Sequence, residues 1–292
     1  MATAQLTAGA KNATHRITPV LLVGMVGIVA AVLRASPVLT SDFPLLDGGL
    51  FYAMVRDLQR AHYRLPAYTS YNGGALPFAY PPLALYLAGA LEELSRCDLL
   101  TIMRFWPLAF NILTIGAFAL LSAAMLQRRS TWLVATCAFA LVPTAFRWLI
   151  LGGGLTRSPG FFFAILALRQ AYLLFHHHDR KRLLPAILFA GCTLLTHPEM
   201  AWFAAISIVV LWLAYGRTLR TTLDLAILGI GAILLAAPWL VAVVSRHGIS
   251  PFVAALGQSE SGWPLHSRLI SLLLFGTTEE ALFPILGCLA LR

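Results

Sequence analysis

The chain has 292 residues, 59% of them hydrophobic and only 11% charged, with a mean hydropathy of +0.79. A soluble domain carries roughly 25% charged residues, so the composition excludes a soluble globular protein and indicates an integral membrane protein. The net charge of +9 gives no reason to invoke nucleic acid, because the arginines are scattered between apolar runs, where they set orientation and meet lipid phosphates.

The first apolar run, Ile17 to Leu33, is followed by Arg34 and Pro37 with no small-x-small cleavage site, so it reads as a true span and not a removed leader. About 20 apolar residues cross a bilayer as a helix. On that measure the spans fall at 17–36, 101–126, 131–150, 158–175, 183–197, 200–215 and 222–244, with two shorter apolar segments at 81–95 and 266–275. After Gly276 a threonine pair and Glu279-Glu280 open a further helix that ends at Arg292. At about 1.5 Å per residue it falls short of the core, so a C-terminally truncated eighth span is expected. The fold class is an all-α polytopic helical bundle forming one transmembrane domain, 1–292, with a large loop at 37–98 carrying juxtamembrane helices. Cys137, Cys192 and Cys288 lie in apolar runs and Cys97 outside them, without disulfide or metal spacing.

The segment 81–95 decides the topology. If it does not span, Lys11, Arg16, Arg128-Arg129, Arg180-Lys181-Arg182 and Arg217/Arg220 all fall on one side, which the positive-inside rule makes cytoplasmic. If it spans, the last three clusters move outside. The first arrangement is expected: a plasma (inner) membrane protein with a cytoplasmic N-terminus, 81–95 as a surface helix, and nearly all acids, Asp42, Asp47, Asp57, Glu92, Glu93, Asp98 and Glu199 among them, on the outer face.

The loop from Asp42 to Leu87 is the richest in chemistry. Asp47 precedes Gly48-Gly49, which permit close backbone approach by a ligand, and then a helical pattern from Leu50 to Ala61. Asp47 reads equally as a helix cap and as a catalytic or binding acid. Arg56, Arg60 and Arg64 recur every four residues and form one stripe, which suits phosphate or simple snorkelling to lipid headgroups. Tyr68 to Gly74 is a turn rich in hydroxyls, aromatic rings and Asn72, chemistry that suits sugars and also any water-facing loop.

An acid just after the first span, an amphipathic helix and a Tyr80-Pro81-Pro82-Leu83 helix start together resemble the GT-C superfamily of membrane glycosyltransferases, of the dolichyl-phosphate-mannose–protein mannosyltransferase kind. The resemblance covers about residues 17–200, in organisation more than identity. It implies a sugar donor carried on polyprenyl phosphate, a cell-envelope glycan, lipid or protein acceptor on the outer face, and an acid in the first outer loop that acts as base or helps bind a divalent metal. Asp47 is the matching position and Asp42 the reserve. Where some relatives carry a basic residue or histidine before Pro-Pro, this chain has Tyr80, and the loop holds no Asp-x-Asp. No other cofactor is implied.

Two further outer turns join the candidate substrate-binding set of Asp42, Tyr52, Arg56, Arg60, Arg157, His197 and Glu199. Thr196-His197-Pro198-Glu199 offers an imidazole and a carboxylate two apart, fit for acid–base work or headgroup binding, or a plain capped turn. Gly152-Gly153-Gly154 before Arg157 lacks the lysine and strand of a P-loop and is either a phosphate contact or a turn. His176-His177-His178 lies on the cytoplasmic side, where consecutive helical residues point apart, so no metal site is expected. The competing readings are a transporter, which predicts charges deep in several spans where Arg169 is the main candidate, and a non-catalytic lipid-binding protein or inactive fragment.

Overall fold

The computed structural model describes residues 24–40, 47–74, 76–150 and 154–257. Asp42, the segment 266–275 and the short final helix lie outside them. The chain divides into two units, Met1–Leu240 and Val241–Arg292. It is mostly helical, and among the described residues four helices are long and apolar enough to cross a membrane: Leu99–Met125, Gly154–His176, Pro198–Tyr215 and Leu219–His247.

The first described helix is α1 (Gly24–Leu39). Then come α2 (Gly48–Arg60), a two-stranded hairpin of β1 (Tyr68–Thr69) and β2 (Leu76–Pro77), and α3 (Leu83–Ser95). The membrane-length helix α4 (Leu99–Met125) follows, with α5 (Arg129–Leu141), the one-turn α6 (Arg147–Ile150), α7 (Gly154–His176), α8 (Leu183–Leu194), α9 (Pro198–Tyr215) and α10 (Leu219–His247) after it. In the second unit the described elements are the end of α10 and α11 (Ser250–Gly257).

The segment 81–95 forms a 13-residue helix, α3, only roughly 20 Å long at 1.5 Å per residue and too short to span. Arg128-Arg129 lie at the α4–α5 junction, Arg180–Arg182 between α7 and α8, and Arg217 and Arg220 at the α9–α10 junction.

Expectation and structure part at 183–197, where α8 has only 12 residues and by the same measure is too short to span, and at 131–150. The single span expected there is broken: α5 ends at Leu141, Val142 is extended, Pro143 opens a 3₁₀ turn, and α6 resumes at Arg147. Pro143 has no N–H to donate and drives the residue before it out of helical geometry. The open carbonyls at the end of α5 are capped from outside. Arg34 of α1, fully buried, donates to Phe139 O at 3.0 Å and Ala140 O at 3.2 Å, and to the Asn111 side chain of α4. Its guanidinium also lies 4.5 Å from the Phe146 ring centroid. The sequence reading treats Arg34 as a flank of the first span; it is a strut between three helices.

The loop elements share one core. Phe51, Met54, Val55 and Leu58 of α2 repeat at helical spacing and pack with Leu85 and Ala88 of α3, Phe78 of the hairpin, and Ile102 and Met103 of α4. Each such side chain, fully buried, contributes about 1.5–3 kcal/mol. Asp98 caps α4 by accepting from Leu100 N at 3.0 Å and Thr101 N at 3.4 Å. Central to the bundle is α7, packed on α4, α8 and α9.

Candidate functional site

Four segments remote in sequence meet at the loop end of the bundle. Asp47 stands at the start of α2, exposed, and among the described residues its side chain makes no capping hydrogen bond. The cap-only reading of Asp47 therefore finds no support in the geometry. Tyr80 sits just before Pro81-Pro82, its ring edge-on to Phe51 of α2 at 5.0 Å and to His197 at 6.2 Å. Its hydroxyl shares a hydrogen bond with Thr156 Oγ1 at 3.2 Å. Thr156 and Arg157 occupy the first turn of α7, and His197 and Glu199 flank the start of α9. A backbone bond from Leu83 N to Leu195 O, 2.9 Å, staples the α3 start to the α8–α9 turn.

The electrostatics follow from these positions. Loss of water contact pushes the Tyr80 phenol up to about 12; the Thr156 bond and the Arg157 charge oppose that shift, and the carboxylates of Glu199 and Asp47 add to it. Tyr80 is thus a phenol, never a phenolate, at neutral pH, and Asp47 and Glu199 both act on it. Arg157 meets Glu199 at 3.4 Å, with Arg157 mostly covered and Glu199 66% exposed. The Arg157 guanidinium also lies 5.3 Å from the Trp148 ring and donates to Trp148 O at 3.4 Å. His197 is 4% exposed, in the turn between α8, which ends at Leu194, and α9, which starts at Pro198. Burial first, and the nearby Arg157 second, push its imidazole down to about 3. Its Nδ1 meets no hydrogen-bond partner among the described residues. A neutral imidazole with an unused nitrogen, a covered arginine, a phenol and an uncapped carboxylate are groups suited to binding a polar, partly anionic substrate.

No protein-family model, curated protein or solved structure matches the chain. The site must be read from its own geometry.

The basic stripe has other partners. Arg56 donates to Glu92 of α3 at 2.7 Å and to Gln59 at 3.0 Å, and its guanidinium stacks 5.1 Å from the Tyr52 ring, whose hydroxyl accepts from its Nε at 3.3 Å. Glu92 also accepts from Leu99 N at 3.1 Å. Tyr52, Arg56 and Glu92 therefore join α2, α3 and α4. Arg60 faces Asp57 at 3.6 Å. Of the sequence candidates, Arg157 pairs with Glu199 and His197 packs on Tyr80; Asp47 stands one helical turn before Phe51, which packs on the same tyrosine; Tyr52, Arg56 and Arg60 have the partners just described; and Asp42 lies outside the described residues.

Tyr80 and Thr156 are the functional candidates that sequence reasoning passed over. The signal for both was adjacency: one precedes the Pro-Pro helix start and the other precedes Arg157. Among the described residues no three His, Cys, Asp or Glu side chains are grouped to hold a metal. His176 stacks on Tyr172 at 4.9 Å and meets Tyr215 at 5.1 Å.

Arg169 is the main candidate from sequence for a charge within the spans, and two further charges there are buried. Besides Arg34, Asp224 is buried near the start of α10 and accepts from Arg180 Nε at 3.0 Å and Nη2 at 2.8 Å. Arg34 and Asp224 are each closed by protein groups. A translocation path calls instead for charges facing a cavity.

Proposed function

We propose that this chain is a membrane glycosyltransferase that moves a sugar from a polyprenyl-phosphate donor to an acceptor on the non-cytoplasmic face, in the manner of the GT-C enzymes its organisation resembles. One observation carries the reading: an uncapped carboxylate, Asp47, shares one end of the bundle with Tyr80, Thr156, Arg157, His197 and Glu199, drawn from segments up to about 150 residues away.

In this mechanism the acceptor oxygen attacks the anomeric carbon and the bond from that carbon to the phosphate oxygen breaks. The phosphate leaves with the electron pair, and the acceptor proton passes to the Asp47 carboxylate. Arg157 and the Tyr80 hydroxyl stabilise the charge that develops on the leaving phosphate. A neutral His197 accepts or donates one hydrogen bond to the sugar without adding charge. Glu199 competes for Arg157 until substrate arrives.

The test uses membranes containing the full chain, supplied with a radiolabelled polyprenyl-phosphate sugar and an acceptor extract. Asp47→Asn should lower transfer at least about a hundredfold, within the usual range for loss of a general base, while leaving protein level unchanged. Undiminished transfer in Asp47→Asn removes Asp47 as the base. A changed solute uptake in place of changed transfer favours the transporter reading.

A further inference from the structure

We infer that the cleft between the end of α2 and the β1–β2 hairpin is a carbohydrate subsite that takes a neutral oligosaccharide; calling it the acceptor side rests on the transferase reading above.

The cleft has a volume of about 460 Å³ and its walls include Asp57, Arg60, Tyr68, Thr69, Ser70 and Gly74. It is built from fixed parts. Asp57 Oδ2 accepts from the Thr69 hydroxyl at 2.9 Å and from Ser70 N at 2.7 Å, so one oxygen of the carboxylate clamps the hairpin to α2. The other, Oδ1, stands 3.6 Å from Arg60 Nη1, beyond hydrogen-bond length. The Arg60 side chain is 73% exposed against 10% for Asp57. Arg60 therefore offers exposed donors at the wall, beside a carboxylate that is mostly covered. Tyr68, on the same wall, is 52% exposed.

A sugar ring has an apolar face of C–H groups and a rim of hydroxyls that both donate and accept. A tyrosine supplies an apolar ring with a polar tip, and a carboxylate–guanidinium pair supplies acceptors and donors in one plane. Asp57, 3.6 Å away, offsets part of the Arg60 charge and so weakens any preference of the cleft for a phosphate over a neutral ligand. Asp57 follows Asp47 by ten residues, roughly 15 Å of helix, so the cleft is separate from the proposed base. The left-handed backbone of Asn72 at φ 48°, Gly73 at 84° and Gly74 at 79° turns the hairpin back over the end of α2, and Gly74 needs no side chain where it forms part of the wall.

The probes are maltotetraose, chitotetraose and mannotetraose, and the measurement is saturation-transfer NMR on the full chain in nanodiscs. At least one tetrasaccharide should bind. Its affinity should fall about fivefold or more in Tyr68→Ala and in Arg60→Ala, and stay within about twofold in Tyr68→Phe. Both altered side chains are exposed, and an unchanged thermal midpoint verifies folding. The proposal is overturned if none of the three binds the wild-type chain, or if a bound one is indifferent to both alanine variants. Asp47→Asn should leave this binding intact, so a failed base assignment shows in the transfer assay alone and a failed subsite shows in the binding assay alone.

Discussion

The ring of Tyr80 meets the imidazole of His197 edge to face, with centroids 6.2 Å apart and planes at 73°, joining the start of the surface helix α3 to the α8–α9 turn. On its other side the same ring packs edge-on to Phe51, and its hydroxyl bonds Thr156. Tyr80→Phe keeps both ring contacts and loses only the hydroxyl. Loss of one neutral hydrogen bond is worth about 0.5–1.5 kcal/mol, so glycosyl transfer should drop up to about tenfold with little change in thermal midpoint. Tyr80→Ala removes the ring and should destabilise by about 3 kcal/mol, read by thermal unfolding in detergent. If the two variants prove equally stable and equally active, Tyr80 holds neither role.

His197 gives the acid side of the stability profile. Its folded pKa of about 3 lies below the ordinary 6.5. Between those values the unfolded chain binds a proton that the native chain refuses, so stability falls as pH drops from about 6.5 toward about 3. His197→Gln, which cannot protonate, should flatten this decline. The comparison is the thermal midpoint of both proteins at pH 7 and pH 4.5. An equal loss in both would mean that other groups govern acid sensitivity.

Much of this arrangement was legible in the sequence, and the boundary is physical. Charge counting set 81–95 apart from the spans because the positive-inside rule is a sum over many arginines and tolerates error at any one of them, and the 13 residues of α3 agree with it in length. Asp47 and the His197–Glu199 turn were legible as polar groups placed between apolar runs. The direction of the Arg56 stripe was not. A period of four places arginines on one face but does not say what that face meets, and Glu92 of α3, 36 residues on, meets Arg56. Arg34 was illegible for the same reason. Its partners are main-chain carbonyls at the break after α5 and an asparagine 77 residues away, and a backbone acceptor has no sequence signature. The break itself was written in Pro143 and passed unread because the hydropathy of 131–150 is continuous through it.

Arg34 makes a severe prediction. Its guanidinium satisfies carbonyls of Phe139 and Ala140, the Asn111 side chain and two aromatic faces in a fully buried site. Arg34→Met fits the space but strands those acceptors, and should destabilise by about 3–5 kcal/mol. Arg34→Lys keeps charge without the planar fork and should recover only part of this. Urea unfolding in mild detergent, followed by tryptophan fluorescence, distinguishes the series. Full recovery by lysine would show that charge alone matters.

Arg56 and Glu92 are 2.7 Å apart and partly exposed, at 30% and 16%. A double-mutant cycle with Arg56→Met and Glu92→Gln should give a coupling of about 1 kcal/mol, at the upper end for such pairs. Transfer activity should change only through stability, because this pair ties α2 to α3 and to the start of α4. A loss of activity in fully folded Arg56→Met would return the stripe to the active site.

Gly160 sets how closely α7 approaches the α8–α9 turn. A methyl group added there would lie 2.9 Å from His197 Cβ and 3.4 Å from Met200 Cβ, so the start of α9 would have to move. Alanine is the better helix former by about 1 kcal/mol, which offsets part of the strain and keeps Gly160→Ala folded. Its effect should therefore fall on the site more than on the fold: His197 and Glu199 shift together away from Tyr80 and Arg157, and transfer drops at least about tenfold. Gly229→Ala in α10 is the control, since its added methyl meets nothing within 4 Å; it should keep activity and gain slightly in thermal midpoint. Equal activity of the two variants would show that the spacing of His197 from α7 does not matter to the reaction, and would leave Asp47, Tyr80 and Arg157 to carry it alone.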